Sequence, residues 1–505
     1  MSFAPYAVLW VILIIAAGIC YLAERRNPIL LATSLIATLL AFALWFFFQP
    51  NSVVSASSLF GRQWAVGQTA WSLTGIVLLL LLAAVVYAVL RDDSPMGMGT
   101  RPAWLLGLAA AVLPIVWAAD DRSRVLAIAF FTLVWFAVRR SEGQADTGGT
   151  WHAFWPFISL FPLWLAAGWP AAQLLLSTAS AAMLLGVWPF GSWRRGVSGD
   201  VTLNLMTDSL PLIAGAAVLA AGFSSSLPTD LEMIAITVFA FLSFIIGLTQ
   251  AWRFSFDRLV QALGPALSGI VLIVAAWATD DAMLSAVRLA VFAPAILTII
   301  ATLFVAQPSV ATPGAARYSR LSPGLIGSIV IYAAVAGLPL TAGFVALSSL
   351  HEAWQAVSNW ALVTALVVLL SLWLAAIFLT IRAIMKEFVS GREVWLRGMS
   401  LLLPILGLLQ FSLASLGVSI ITWIVIILPS ILGVLLGLFV PGLRTLDGRP
   451  GERLSNARPS EALSDRLRQL GRVTADAIGD AAAILEGEFG LLWLLGLVLL
   501  LLWLA

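Results

Sequence analysis

"AGLPLTAGF", residues 336–344, interrupts an apolar run over 324–348 that would otherwise read as one membrane-crossing helix. Two glycines, a proline and a threonine stand at a depth where a lipid-facing helix must close every backbone hydrogen bond, because hydrocarbon offers the freed groups no water. Such a break is tolerated only inside a bundle or beside a hydrated cavity, so Gly337, Pro339 and Gly343 mark a discontinuous helix within a multi-helix membrane protein.

The rest of the chain supplies the bundle. Of 505 residues, 61% are hydrophobic and 10% charged, a composition outside the soluble globular range. Uncharged runs long enough to cross about 30 Å of hydrocarbon recur from one end to the other. About sixteen are counted, and about fourteen if the pairs within 153–188 and 398–440 are single spans. The expected fold class is therefore an all-α polytopic membrane protein of about 14–16 transmembrane helices.

Basic residues give the expected orientation, because cytoplasmic loops retain Arg and Lys. Of the 27 such residues, all but Arg62, Arg122, Arg124 and Arg288 fall in clusters that occupy every second loop, among them Arg101, Arg139/Arg140 and Arg194/Arg195. With sixteen spans both termini lie outside. The first apolar run has no basic segment before it and reads as a retained helix, not a cleaved signal. A bacterial cytoplasmic membrane is the expected location.

Little in the sequence points to catalysis. Cys20 is the sole cysteine, which rules out a disulfide framework or a cysteine-ligated cluster within this chain. His152 and His351 are the two histidines and stand apart at the edges of loops, the setting of an interfacial polar residue rather than a metal ligand. No glycine-rich phosphate loop or metal-spaced acidic set is present, so no cofactor, metal or catalytic residue is assigned.

A second break is expected within "NLMTDSLPLIAGAAVL" (204–219), at Pro211 and Gly215. Each break has two readings: a kink accommodated by neighbouring helices, or a helix end placed beside an ion path. Two similar breaks suggest an internal structural repeat.

These segments resemble a family. "WPFGSWRRGVSGDVTLNLMTDSLPLIAGAAVL" (188–219) resembles the signature of the antiporter-like membrane subunits of complex I, Mrp cation/proton antiporters and membrane-bound hydrogenases, keeping Pro189, Phe190, Trp193, Ala214 and Gly215. "FDRLVQALGPALSG" (256–269) is similar to a later family stretch, retaining Arg258, Leu259, Ser268 and Gly269, and "AGLPLTAGF" is similar to the family's GLPPTSGF. "LWLAAIFLTIRAIMKEF" (372–388) stands where the family has a helix ending in arginine. The resemblance implies two inverted-repeat bundles with broken helices, and it divides the chain into N-terminal helices (1–100), an antiporter-like core (101–390) and C-terminal core helices (391–445). A cytoplasmic amphipathic lateral helix (446–487) and a final transmembrane helix (488–505) follow. Within the lateral segment, Leu463, Leu467, Leu470, Ala477, Ala481 and Leu485 recur at helical steps opposite Arg466, Arg472 and Asp476. It either anchors to the bilayer or docks along a neighbouring membrane subunit.

The departures from the family bear on function. Proton translocation there relies on a buried glutamate and several buried lysines, residues that hydrocarbon tolerates only for function. By comparison the glutamate position holds Thr132, the broken-helix lysine is Ile213, the histidine before it Thr207 and the next lysine Asp257. The one lysine of the chain, Lys386, stands at a span end beside Glu387. The ion-path candidates are thus Asp208, Asp257, Arg258 and Lys386. Asp208 reads either as an acid near a helix N-terminus or as part of a polar path. Asp257, beside Arg253 and Arg258, reads as a surface ion pair or as a path residue.

Three functions follow. The first is a membrane-arm subunit of a complex I-like or hydrogenase-like respiratory complex without redox centres of its own, its proton or cation translocation reduced or absent. The partners implied are other membrane subunits and the bilayer, with no nucleic acid. The second is a stand-alone or Mrp-like cation/proton antiporter. The third is a polytopic lipid or glycan transporter or a membrane scaffold.

Overall fold

The computed structural model describes residues 3–23, 27–59, 62–90, 101–141, 155–169, 172–188, 190, 200–225, 228–251, 256–305, 323–385, 398–409 and 418–439. The lateral helix, the final span and Lys386 lie outside the described residues.

The chain is built from helices, as its apolar runs require. Eight of the described helices are long and apolar enough to cross a membrane. In chain order the elements begin with α1 (Ala4–Leu22) and α2 (Asn27–Phe47), then β1 (Val54–Leu59) and β2 (Arg62–Val66). They continue with α3 (Gln68–Leu90), α4 (Arg101–Trp117), α5 (Asp121–Ser141), α6 (Trp155–Ile158), α7 (Leu160–Gly168) and α8 (Gln173–Leu185). Next come α9 (Val201–Ser225), α10 (Asp230–Ala251), α11 (Phe256–Trp277), α12 (Asp280–Val305), α13 (Pro323–Val335), α14 (Ala342–Ala356) and α15 (Trp360–Met385). A 3-10 turn (Met399–Leu401) leads into a short helix, Leu402–Leu408, and the last described helix is Ile420–Phe439.

Burial separates centre from rim. In α9 and α12, 83% of the apolar span is buried, against 28% for α1 and for Ile420–Leu438. The pattern of α1 shows why it lies at the rim: Tyr6, Leu9, Leu13, Ala16 and Cys20 are buried at three- and four-residue steps, while Val8, Val11, Ile15 and Ile19 are exposed between them. That is one face for the bundle and one for lipid.

Three details depart from a bundle of uniform spans. Between α2 and α3 the chain forms an antiparallel hairpin, β1 with β2, and Trp64 of β2 bridges Ala118 at the end of α4. The apolar stretch 153–188 yields a four-residue helix, a nine-residue helix and a thirteen-residue helix. Pro114 lies inside α4; having no N–H, it leaves the carbonyl of Ala110, four residues back, without its helical donor. Trp10 Nε1 of α1 donates to that carbonyl at 2.8 Å.

The opening stretch is a true break. Helix α13 ends at Val335, and α14 begins after Thr341. Gly337 takes a φ of 69°, while the amide of Leu338 reaches the Ala333 carbonyl at 2.8 Å and that of Gly337 reaches Ala334 at 3.2 Å. This is a glycine-closed helix C-terminus. Leu340 also takes a positive φ, 65°. Thr341 caps α14, its Oγ1 accepting from the Phe344 amide at 3.3 Å. The strand-like backbone of Thr341 pairs with Leu409, at the end of Leu402–Leu408. The groups freed by the break therefore find partners inside the bundle, as hydrocarbon demands. Gly343 is needed for a different reason: a Cβ there would stand 1.7 Å from the Ala334 carbonyl oxygen.

The two ends of α4 carry separate sets of charged groups. Arg101, at the start of α4, pairs with Asp200 at 2.8 Å, and Asp200 accepts from the amides of Thr202 (2.8 Å) and Leu203 (3.3 Å) at the start of α9. Arg62 and Arg122 share a cleft near the other end of α4.

Candidate functional site

The site lies on the seam between α5 and α9. On α5, Thr132, Trp135 and Arg139 fall at helical three- and four-residue steps and share one face. All three are buried, Arg139 to 5% exposure. Arg139 Nη2 meets Asp208 Oδ1 of α9 at 2.5 Å, and its guanidinium carbon stands 5.2 Å from the centre of the Trp135 ring. That geometry adds a cation–π contact to the ion pair. Asp208 is seven residues beyond the start of α9, about 10 Å along its axis. The pair therefore lies within the span and not in a loop. The reading of Arg139 with Arg140 as a loop cluster is thereby corrected for Arg139: α5 continues through it and turns its guanidinium inward. Nε and Nη1 of Arg139 are buried with no hydrogen-bond partner among the described residues.

The expected break at Pro211 and Gly215 is also corrected. Helix α9 runs unbroken from Val201 to Ser225 with Pro211 inside it. Pro211 carries no N–H, so the Thr207 carbonyl four residues back loses its helical donor. Trp135 Nε1 donates to this carbonyl at 2.9 Å. The helix stays continuous because a neighbour supplies the missing hydrogen bond. Gly215 serves packing: a Cβ there would stand 2.9 Å from both the Ala181 carbonyl oxygen and the Leu185 amide nitrogen of α8.

Neither Thr132 of α5 nor Ile213 of α9 carries a charge. Thr132 Oγ1 turns back on its own helix, donating towards the carbonyls of Ile128 (2.9 Å) and Ala129 (3.0 Å). Ile213 is fully buried. Thr207 Oγ1 also turns back, towards the Asn204 carbonyl at 3.5 Å. Asp257 and Arg258 fall in the first turn of α11, and their side chains lie outside the described residues.

Sequence reasoning missed two further polar groups. His351 is buried to 2% exposure in α14 and is not at a loop edge. Its Nδ1 lies 3.1 Å from Thr422 Oγ1 of Ile420–Phe439, and Ser419 Oγ joins Thr422 at 2.9 Å. Arg288 lies within α12, eight residues beyond Asp280, and not in a loop. For Arg139 the available signal was its four-residue spacing from Trp135 on a continuous helix. For His351 and Arg288 no local signal separates a buried polar residue from an interfacial one. Among the described residues no group of three His, Cys, Asp or Glu side chains is placed to hold a metal.

No protein-family model matches the sequence, and no curated protein matches it. Solved structures do. A chain of the Mrp complex from a Dietzia species superposes with a TM-score of 0.68 at 15% identity, over 94% of this chain and 60% of that one. A chain of the membrane-bound sulfane sulfur reductase, an archaeal respiratory membrane complex, superposes with a TM-score of 0.68 at 13% identity, over 99% of this chain and 100% of that one. The fold is the one these two membrane-complex chains share. The resemblance drawn from four short motifs thus holds at the level of the fold, and the chain spans 60% of the length of the Mrp chain it matches. Within this fold the α5–α9 seam carries an arginine–aspartate pair, and Thr132 of α5 and Ile213 of α9 are not ionisable.

Proposed function

We propose that the chain is a membrane-arm subunit of a larger respiratory or hydrogenase-like complex, contributing structure, with proton or cation translocation reduced or absent. One observation carries this reading: the contact of the buried Arg139 with the quarter-exposed Asp208. A guanidinium keeps its proton at every accessible pH, so Arg139 cannot pass one on as a lysine can. The hydroxyl of Thr132 is held by its own helix, and Ile213 offers nothing to titrate. The seam is built as a clamp between helices, with two charges and an indole fixing α5 against α9. Both solved neighbours are chains of membrane complexes, which supports other membrane subunits as partners, and the 459–487 segment is the surface we assign to one of them.

The test is flux from the purified chain in proteoliposomes, read with a pH-sensitive dye under an imposed sodium or potassium gradient. We expect a wild-type signal indistinguishable from that of Asp208→Asn. Wild-type flux that Asp208→Asn abolishes would replace this reading with Mrp-like antiport. Mass spectrometry of the native assembly after gentle extraction tests the partner half, and a band containing this chain alone would refute it.

A further inference from the structure

On the membrane face away from the Arg101–Asp200 pair there is an open cleft of about 410 Å³, whose lining includes Arg62, Gln63, Asp120, Asp121, Arg122 and Gln173. Its carboxylates are already engaged. Asp120 accepts from the Ser123 amide at 2.8 Å and the Ser123 hydroxyl at 2.7 Å. Asp121 accepts from Arg124 and, at 2.8 Å, from Gln173 Nε2. Arg124, 5% exposed, also donates to the Ala118 carbonyl at 3.0 Å and is turned away from solvent. Arg62 and Arg122 remain on the cleft wall with no ion-pair partner among the described residues.

A second groove, of about 280 Å³, shares Arg122 and Ala167 with the cleft and runs along Trp164, Leu165 and Trp169. Trp169 is 64% exposed. Residues 155–168, which lead to this groove through α6 and α7, rise only about 21 Å at helical pitch, short of the roughly 30 Å of hydrocarbon. A lipid seated here would set the groove end of α7 against its acyl chains and Arg122 against its headgroup. Guanidinium groups suit phosphate oxygens in planar, paired hydrogen bonds, and tryptophan favours this depth of the bilayer.

We propose that the two features form one binding site for an anionic phospholipid, its phosphate held between Arg62 and Arg122 and one acyl chain lying along Trp164 and Trp169. A soluble anion would use the arginines and leave the groove empty. Only a lipid has the chemistry for both.

The full-length chain in detergent is titrated with phosphatidylglycerol, phosphatidylcholine or inorganic phosphate and read by native mass spectrometry. The expected result is one phosphatidylglycerol retained in preference to phosphatidylcholine. Arg62→Gln and Arg122→Gln should each weaken retention about fivefold, the worth of one arginine against an anionic lipid surface. Trp169→Ala should weaken lipid retention and leave phosphate binding unchanged. All three changes are on accessible side chains, and unchanged thermal unfolding verifies the fold. Equal retention by wild type and both arginine variants overturns the site. Phosphate binding without lipid retention makes it a soluble-anion site and overturns the lipid assignment. Cross-linking of Arg122→Cys to another subunit, with no lipid retained, makes it a protein contact and does the same.

Discussion

Trp135 and Thr207 belong to different helices, yet the indole of one completes the backbone of the other, with Nε1 2.9 Å from the carbonyl that Pro211 leaves without a donor. The relationship makes a thermodynamic cycle informative. Trp135→Phe should destabilise the protein by about 1 kcal/mol, the scale of one interhelical hydrogen bond in a membrane protein. In a Pro211→Ala background the helix closes its own bond, so the same change should cost measurably less. Denaturant unfolding in detergent gives all four values. Equal costs in both backgrounds would show that the proline and the indole act independently.

Arg139 and Asp208 should behave as a pair that tolerates joint loss better than single loss. Removing Asp208 leaves the buried Arg139 charge uncompensated, at about 3–5 kcal/mol; removing Arg139 leaves a quarter-exposed carboxylate and should cost less, and replacing both with leucine should approach neutrality. We expect Arg139→Leu and Asp208→Leu to unfold at clearly lower denaturant than the double variant. A double variant as unstable as the singles summed would mean the charges act apart.

Three glycines should rank by the space around them. A Cβ on Gly343 would stand 1.7 Å from the Ala334 oxygen and one on Gly215 2.9 Å from the Ala181 oxygen, while nothing lies within 4 Å of one on Gly107. Gly343→Ala should therefore prevent recovery of folded protein and Gly215→Ala should lower stability. Gly107→Ala, inside α4, should be neutral or gain up to about 1 kcal/mol. Size-exclusion profiles after expression separate these outcomes, and a well-folded Gly343→Ala would refute the close approach.

The two membrane faces can be read chemically. Arg101→Cys and Arg122→Cys should label with a membrane-impermeant maleimide from opposite sides of sealed vesicles. Background is low because the native Cys20 is fully buried. Arg101 is half exposed and Asp200 keeps its bonds to the Thr202 and Leu203 amides, so loss of the arginine should leave the fold intact. Labelling of both positions from one side would contradict the described path of α4.

What the sequence revealed depended on whether a residue's partner was close along the chain. The 336–344 break was legible because Gly337, Pro339, Thr341 and Gly343 form a C-terminus, a turn and a cap among themselves. Pro211 was not, since its consequence depends on an indole 76 positions earlier, and no local pattern announces that donor. Arg139 was read as a loop residue because two arginines after an apolar run look alike whether the helix stops or continues. The pair of spans expected in 153–188 became shorter helices, since apolar length alone does not reveal where prolines and turns divide it. Family-like motifs conveyed the fold, while the identity of the charges on the α5–α9 seam was visible only once Arg139 and Asp208 stood side by side.

The hydrogen bond from Trp10 to Ala110 has a consequence for inheritance. Pro114 creates the vacancy that Trp10 fills, just as Pro211 creates the one that Trp135 fills. Each proline is tolerable in its helix because a distant indole is present, and each indole proton has a use because the proline is there. Positions 10 and 114, and likewise 135 and 211, should change together across descendants of this chain: a lineage that regains a backbone N–H at either proline is released from keeping the tryptophan.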